Sequence, residues 1–214
     1  MRKKRRRRLR WVIIPLAAAL VVLAIVLCVR SCRRQEDAFT QLVLGVPVYT
    51  ELIPEGNPAR PGIQRRIKYV VIHETGNRAA GSDAESHSNF LLYNNDSNTS
   101  WHYTVDDRQI YHHIPDTEVA WHAGDRREKD GGNMNGIGVE ICVNQDGDFD
   151  KALDNAERLT AYLLKEYGLS VDDVRQHADF ISKNCPETIR DQERMEEFLD
   201  KVRGYLDELA QEPA

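Results

Sequence analysis

The chain is poor in cysteine, with four in 214 residues, and their placement excludes a scaffold held by disulfides. Cys28 and Cys32 lie at and just beyond the end of an apolar run, where pairing between two chains stays open. Cys142 sits inside the run GIGVEICV as a small buried hydrophobe, and only Cys185 has chemical neighbours. Internal repeats are missing, and so is any low-complexity tract beyond the basic start, which excludes a repeat architecture. Acid is absent from the first 34 residues, which hold 11 of the 29 lysines and arginines; residues 35–214 therefore carry 18 bases against 34 acids, a net charge of −16. The two parts belong in different surroundings. Overall, 41% hydrophobic and 29% charged residues are ordinary for a globular protein, and the length suits one sizeable domain with appendages.

What the first 34 residues do contain is a basic head, MRKKRRRRLR (1–10), and then WVIIPLAAALVVLAIVLCV (11–29), 19 residues without a charge. At a rise of about 1.5 Å per residue this run spans about 28 Å as a helix, close to the thickness of a bilayer's hydrocarbon core. Eight bases precede it and three follow, so the positive-inside rule puts residues 1–10 in the cytoplasm and everything after Val29 outside. The expectation is a single-pass membrane anchor. A cleaved secretory signal is the alternative, opposed by the length of the run and by the lack of a small-x-small cleavage site after it. A twin-arginine export signal lacks the rest of its pattern.

Residues 30–45 read as a connector and 46–210 as the domain. The Pro- and Gly-rich stretch VPVYTELIPEGNPARPG carries Val46, Val48, Tyr49, Leu52 and Ile53, too apolar for a free linker, so part of it packs on the domain. From Ile67 onward, strand and helix patterns alternate. Ile67–Ile72 is a β-branched run of the kind buried on both faces, with His73 at its end. Asp83–Tyr93 has helical spacing, HYTV and QIYHHI flank the turn DDR as a hairpin, and GIGVEICV is another buried strand. A helix carrying Leu153, Ala156, Thr160, Leu163, Leu164 and Tyr167 on one face stops at Gly168, and a final helix spans about Thr188–Leu209. The expected fold is a three-layer α/β domain, a central mixed β-sheet flanked by helices and preceded by one N-terminal transmembrane helix.

Three side chains have the chemistry of soft-metal ligands: His73, and then His177 and Cys185 in RQHADFISKNCP. Imidazole and thiolate suit zinc, and three protein ligands leave a fourth position for a reactive water. His177 and Cys185 are eight residues apart, too far for one helical face, so a loop must bring them together. Lys183 between them supplies positive charge where an oxyanion would develop. Glu140, a carboxylate on an apolar strand, is costly there unless it has a partner or a task; the expected task is general base. The pattern points to metal-assisted hydrolysis.

In their order, VIHETGN, SWHYTVDD, WHAGD, NGIGVEICVN and QHADFISKNCP resemble the zinc-dependent N-acetylmuramoyl-L-alanine amidases of the type-2 class, whose fold is shared with phage lysozyme-type amidases and peptidoglycan recognition proteins. The resemblance covers about Val46–Asp200. It implies that His73, His177 and Cys185 bind Zn2+, that Glu140 and Lys183 are catalytic, and that the substrate is peptidoglycan, cut between N-acetylmuramic acid and L-alanine. Relatives with Asp as third ligand differ here, and recognition proteins without the thiolate are usually non-catalytic; Cys185 favours activity. His102 and His122 match family positions that line the substrate groove.

Other polar and aromatic residues are weighed on their own pattern. Trp121 and Trp101 are each open to two readings, a platform for a sugar ring or core packing. Asn77, beside His73, and Asn135 and Asn144, near Glu140, are polar groups at strand ends where groove walls form. His87 reads as a core imidazole, and His112 and His113, adjacent in a strand, point to opposite faces. Two rival readings remain: a non-catalytic peptidoglycan receptor on the same fold, and a structural zinc closed by Cys142. The partners expected are peptidoglycan and the membrane, with no nucleic acid. A net charge of −16 opposes anionic cell walls. A fragment of residues 35–214 is therefore predicted to bind whole walls more strongly as ionic strength rises in a pelleting assay; tighter binding at low salt contradicts this.

Overall fold

A computed structural model describes residues 39–93 and 98–211. The basic head, the anchor and most of the connector expected above lie outside the described residues. The chain divides at Thr40, and everything that follows concerns the unit that begins there. Among the described residues no helix is long and apolar enough to cross a membrane.

Seven strands form one mixed sheet: β1 (Gln41–Val43), β2 (Val46–Thr50), β3 (Tyr69–Glu74), β4 (Tyr103–Val105), β5 (Ile110–His112), β6 (Gly136–Ile141) and β7 (Val174–Gln176), in the order β1-β2-β5-β4-β6-β3-β7. The β1–β2 and β4–β5 pairs are antiparallel; β2–β5, β4–β6, β6–β3 and β3–β7 are parallel. β3, between β6 and β7, is buried on both sides, as its unbroken apolar run predicts. Val70 and Ile72 join the main core, so alternation turns Val71 and His73 to the other face.

On the first face, α3 (Phe149–Tyr167) buries Leu153, Ala156, Leu159, Leu163 and Leu164 against Ile72, Val105, Ile137, Val139 and Ile141. Asp148 caps its start by accepting a hydrogen bond from Lys151 N, and Gly168 ends it in the left-handed conformation, φ 62°. The other face carries α1 (Ala84–Tyr93), α2 (Gly132–Asn135) and long loops around a second cluster of Ile53, Leu91, Trp101 and Ile114. The central mixed sheet flanked by helices is thus as the sequence pattern implies.

Two details differ from that pattern. The sheet begins at Gln41 rather than Val46, because β1 returns onto β2 through Leu44 and Gly45, both at positive φ (45° and 85°), the backbone of a type I′ hairpin. The single helix expected over 188–209 is two, α4 (Glu187–Asp191) and α5 (Met195–Gln211), broken where Glu193 turns to φ 54°. The break reconciles two demands. The start of α4 is pinned to the end of β3, whereas α5 must lie along α3, where Phe198 and Val202 are buried and Arg194 pairs with Asp150 at 2.8 Å.

Glu157 on α3 is 3% exposed, and burial pushes its carboxyl up from an ordinary 4.5 to about 8. The folded chain therefore keeps a proton that the unfolded chain releases, and stability falls as pH rises between those two values. Glu157→Gln is predicted to flatten this dependence and to raise Tm near pH 8 but not near pH 5, by about 2–4 °C per kcal/mol relieved. Parallel melting curves for the two proteins contradict the assignment.

Candidate metal centre

Strand register builds the site. In the β3–β6 pair His73 lies opposite Glu140, and in the β3–β7 pair Ile72 lies opposite Gln176, which brings His177 alongside His73. Three neighbouring parallel strands thus deliver Glu140, His73 and His177 in one row at their C-terminal ends. His177 opens a short 3-10 turn, His177–Asp179, and the chain then loops back. A hydrogen bond from Ala178 N to Cys185 O (3.1 Å) closes that loop, with Cys185 N donating to Lys183 O inside it (2.9 Å). This is the loop that the eight-residue spacing requires.

The donor atoms of His73, His177 and Cys185 all lie within 4.8 Å of one another, and all three residues are buried. His73 Nδ1 is 3.0 Å from His177 Nδ1 and 3.9 Å from Cys185 Sγ. A zinc tetrahedron with Zn–N about 2.05 Å and Zn–S about 2.3 Å has edges of about 3.3 Å between nitrogens and about 3.6 Å from nitrogen to sulfur. The two edges that meet at His73 fit within a few tenths of an ångström, and the third, from His177 to Cys185, lies within 4.8 Å. Electrostatics suit it too: burial holds His73 well below its ordinary pKa, and burial with the Lys183 charge brings His177 to about 4, so both imidazoles are neutral donors. Burial pushes the Cys185 thiol up to about 11, so its thiolate forms against a cation, with release of a proton.

Glu140 completes the row. One carboxylate oxygen is 3.9 Å from His73 Nδ1, and the other is buried with no hydrogen-bond partner. Burial raises this carboxyl to about 7, opposed by Lys183. Lys183 itself is exposed, yet its charge acts on His73, His177 and Glu140 together. Cys142 lies on the same sheet face as Glu140 but packs against Ala84 and Tyr111, outside the three-donor group.

The other predicted positions separate into interior and surface. His102 and His122 are 0% and 6% exposed, so neither forms an open groove wall. His102 Nδ1 accepts from Gly138 N (3.0 Å) and its Nε2 faces Glu118 O (3.0 Å). His122 lies behind His73, Nδ1 to Nε2 at 2.9 Å, and burial brings it to about 3. His122 sinks where Gly136 and Gly138 leave β6 bare, a Cβ at Gly138 meeting its ring at 2.7 Å. Trp121 stays partly exposed, with Arg127 over its ring, and lines a pocket of about 490 Å³ with Gly124, Arg126 and Asn133. Asn77 is exposed and accepts from Ala79 N. Trp101 is core, its indole donating to Thr104 Oγ1. Asn135 and Asn144 tie their own loops, through Lys129 O and Gly131 O and through Asp146. His87 is buried beside Asp83 O.

Residues 63–188, which contain every donor described above, match the family model described as N-acetylmuramoyl-L-alanine amidase. The chain belongs to this family. It is 43% identical over 146 residues to the N-acetylmuramoyl-L-alanine amidase XlyA of Bacillus subtilis (strain 168), covering 68% of this chain and 48% of that protein. With CwlH of the same organism the identity is 42%, covering 68% and 58%. The chain thus spans about half the length of the curated relatives it matches. The catalytic domain of XlyA superposes with a TM-score of 0.69 at 41% identity, covering 73% of this chain and 99% of that one; PlyL superposes at 0.66 and 30%, covering 72% and 96%.

Within this amidase-family domain, sequence reading missed Glu74. Its carboxylate accepts from Thr188 N and Ile189 N, both at 3.0 Å, and so ties the strand of His73 to the helix that follows Cys185. A signal was there: Glu74 is a second carboxylate ending an apolar strand, open to the argument made for Glu140. Glu74→Ala is predicted to weaken zinc binding by about 10–100-fold in competition with a chromophoric chelator. Unchanged affinity contradicts this positioning role.

Proposed function

We propose that this domain is a zinc-dependent N-acetylmuramoyl-L-alanine amidase, hydrolysing the amide between N-acetylmuramic acid and the L-alanine of the peptidoglycan stem peptide. The observation that carries the reading is the trio of buried donors within 4.8 Å, with an unpartnered oxygen of Glu140 beside them. Family membership and the likeness to proteins named as amidases support the same conclusion.

His73, His177 and Cys185 would hold the zinc. When bound, zinc supplies Lewis acidity toward the scissile carbonyl and lowers the pKa of water. Glu140 takes the proton of the attacking water and passes it to the leaving L-alanine nitrogen; a carboxyl poised near 7 can act in both directions. Lys183, exposed and electrostatically coupled to the donors, stabilises the oxyanion that develops on the carbonyl. Trp121 and its neighbouring Arg126 and Arg127 offer a face and positive charge to the glycan or to carboxylates of the stem peptide, and Asn77 offers a polar rim. His102 and His122, expected from the resemblance to line the substrate groove, are buried and are assigned no part in the reaction itself. From the sequence of residues 1–34, we also propose that the protein is held in the cell membrane by residues 11–29, with this domain on the outer side.

The full-length protein, assayed on purified peptidoglycan with mass analysis of the products, tests the reading. Stem peptides beginning at L-alanine are expected, lost on chelation and regained with zinc. Glu140→Gln is expected to bind zinc but to release product about 10²–10⁴-fold more slowly. Binding of peptidoglycan without release, in wild type and variant alike, contradicts the amidase reading and supports a receptor.

A further inference from the structure

We propose that His122 is a positioning residue for the metal centre: it accepts the Nε2 proton of His73 and so keeps His73 Nδ1 free to bind the ion. The inference rests on the zinc site proposed above. It follows from a short chain of hydrogen bonds. His122 Nε2 lies 3.1 Å from Gly136 O. A carbonyl oxygen only accepts, so His122 Nε2 carries the hydrogen, and a neutral imidazole has one to give. His122 Nδ1 is therefore an acceptor. It lies 2.9 Å from His73 Nε2, which must be the donor. With its proton on Nε2, His73 presents a bare lone pair on Nδ1, the nitrogen that faces His177 Nδ1 and Cys185 Sγ.

A second, independent observation is the seat made for this ring. β6 carries two glycines, Gly136 and Gly138, on the face that also bears Glu140, inside a largely buried strand where glycine packs poorly. A Cβ at Gly138 would come within 2.7 Å of His122 Cγ and 2.9 Å of its Nδ1. These are atoms of a confined ring that cannot swing aside, so β6 is bare where His122 lies. Gly138 is itself held on both sides by His102, whose backbone N donates to Gly138 O (3.1 Å) and whose Nδ1 accepts from Gly138 N (3.0 Å). Asn133 Oδ1 accepts from the backbone N of His122 (2.8 Å) and so holds the backbone from which the ring projects. Metal-bound histidines ordinarily give their second N–H to a carboxylate, a carbonyl or water, and partners of that kind hold tautomer and ring orientation. Here an imidazole takes that place. It adds no charge next to the site.

Long-range 1H–15N NMR of the metal-free protein reads the tautomer of His73 directly, and zinc affinity by chelator competition reads its consequence, both without substrate. The wild type is expected to show His73 protonated at Nε2 and bare at Nδ1. His122→Leu, which removes the acceptor, is expected to add the Nδ1-protonated form and weaken zinc binding about 10–100-fold. His122→Asn, with an amide oxygen near the position of Nδ1, is expected to regain most of the affinity. Wild-type His73 protonated at Nδ1, or full affinity in His122→Leu, overturns the proposal. If His122→Leu fails to fold, the wild-type spectrum alone still decides. A wild type with the expected tautomer but no zinc affinity would overturn the metal reading and not the hydrogen-bond assignment.

Discussion

The site depends on the register of three parallel strands. With His73 opposite Glu140, and Ile72 opposite Gln176, the C-terminal ends of β6, β3 and β7 present a carboxylate and two imidazoles in a row. That register is enforced from the far side of the sheet. Val70, Ile72, Ile137, Val139 and Ile141 face the helical core, and each contributes about 1.5–3 kcal/mol on burial. A slip of one residue would turn that face into the wrong layer and carry His73 with it. Burying a polar group with incomplete partners costs about 1–3 kcal/mol. The apolar face outweighs several such groups, which is how the fold tolerates buried imidazoles and a half-satisfied Glu140.

The third donor needs a different device, because Cys185 sits on a loop and register cannot place it. Glu74, next to His73 in the chain, accepts two backbone hydrogen bonds from the start of α4, just beyond Cys185. Negative charge at a helix start is favourable and is strongest when directly hydrogen-bonded. The strand end therefore carries one candidate donor, His73, and with the next residue holds the loop of another, Cys185. The broken helix follows: α4 answers to Glu74, α5 answers to α3, and Glu193 takes the turn between them.

Much of this was legible in the sequence. The β-branched run ending in His73, the stripe of the long helix with Gly168 as its stop, the hairpin around DDR and the loop between His177 and Cys185 each rest on a strong local pattern. What escaped had a weak pattern or a tertiary cause. β1 and β7 are three residues each, too short for alternation to register. No glycine or proline stands between Thr188 and Met195, so the helix break is invisible until Glu74 is seen. The depth of His102 and His122, which the resemblance placed along the groove, is not reported by flanking sequence; the paired glycines of NGIGVE, read as space for a ring, were the available clue.

X-ray absorption at the zinc edge of the metal-loaded protein tests the central claim most directly. The account predicts one sulfur at about 2.3 Å with nitrogen or oxygen neighbours at about 2.0–2.1 Å, two of them showing imidazole scattering, and a fourth neighbour that is exchangeable oxygen. Two sulfurs, or four ligands all from the protein, would contradict an open catalytic centre built on His73, His177 and Cys185.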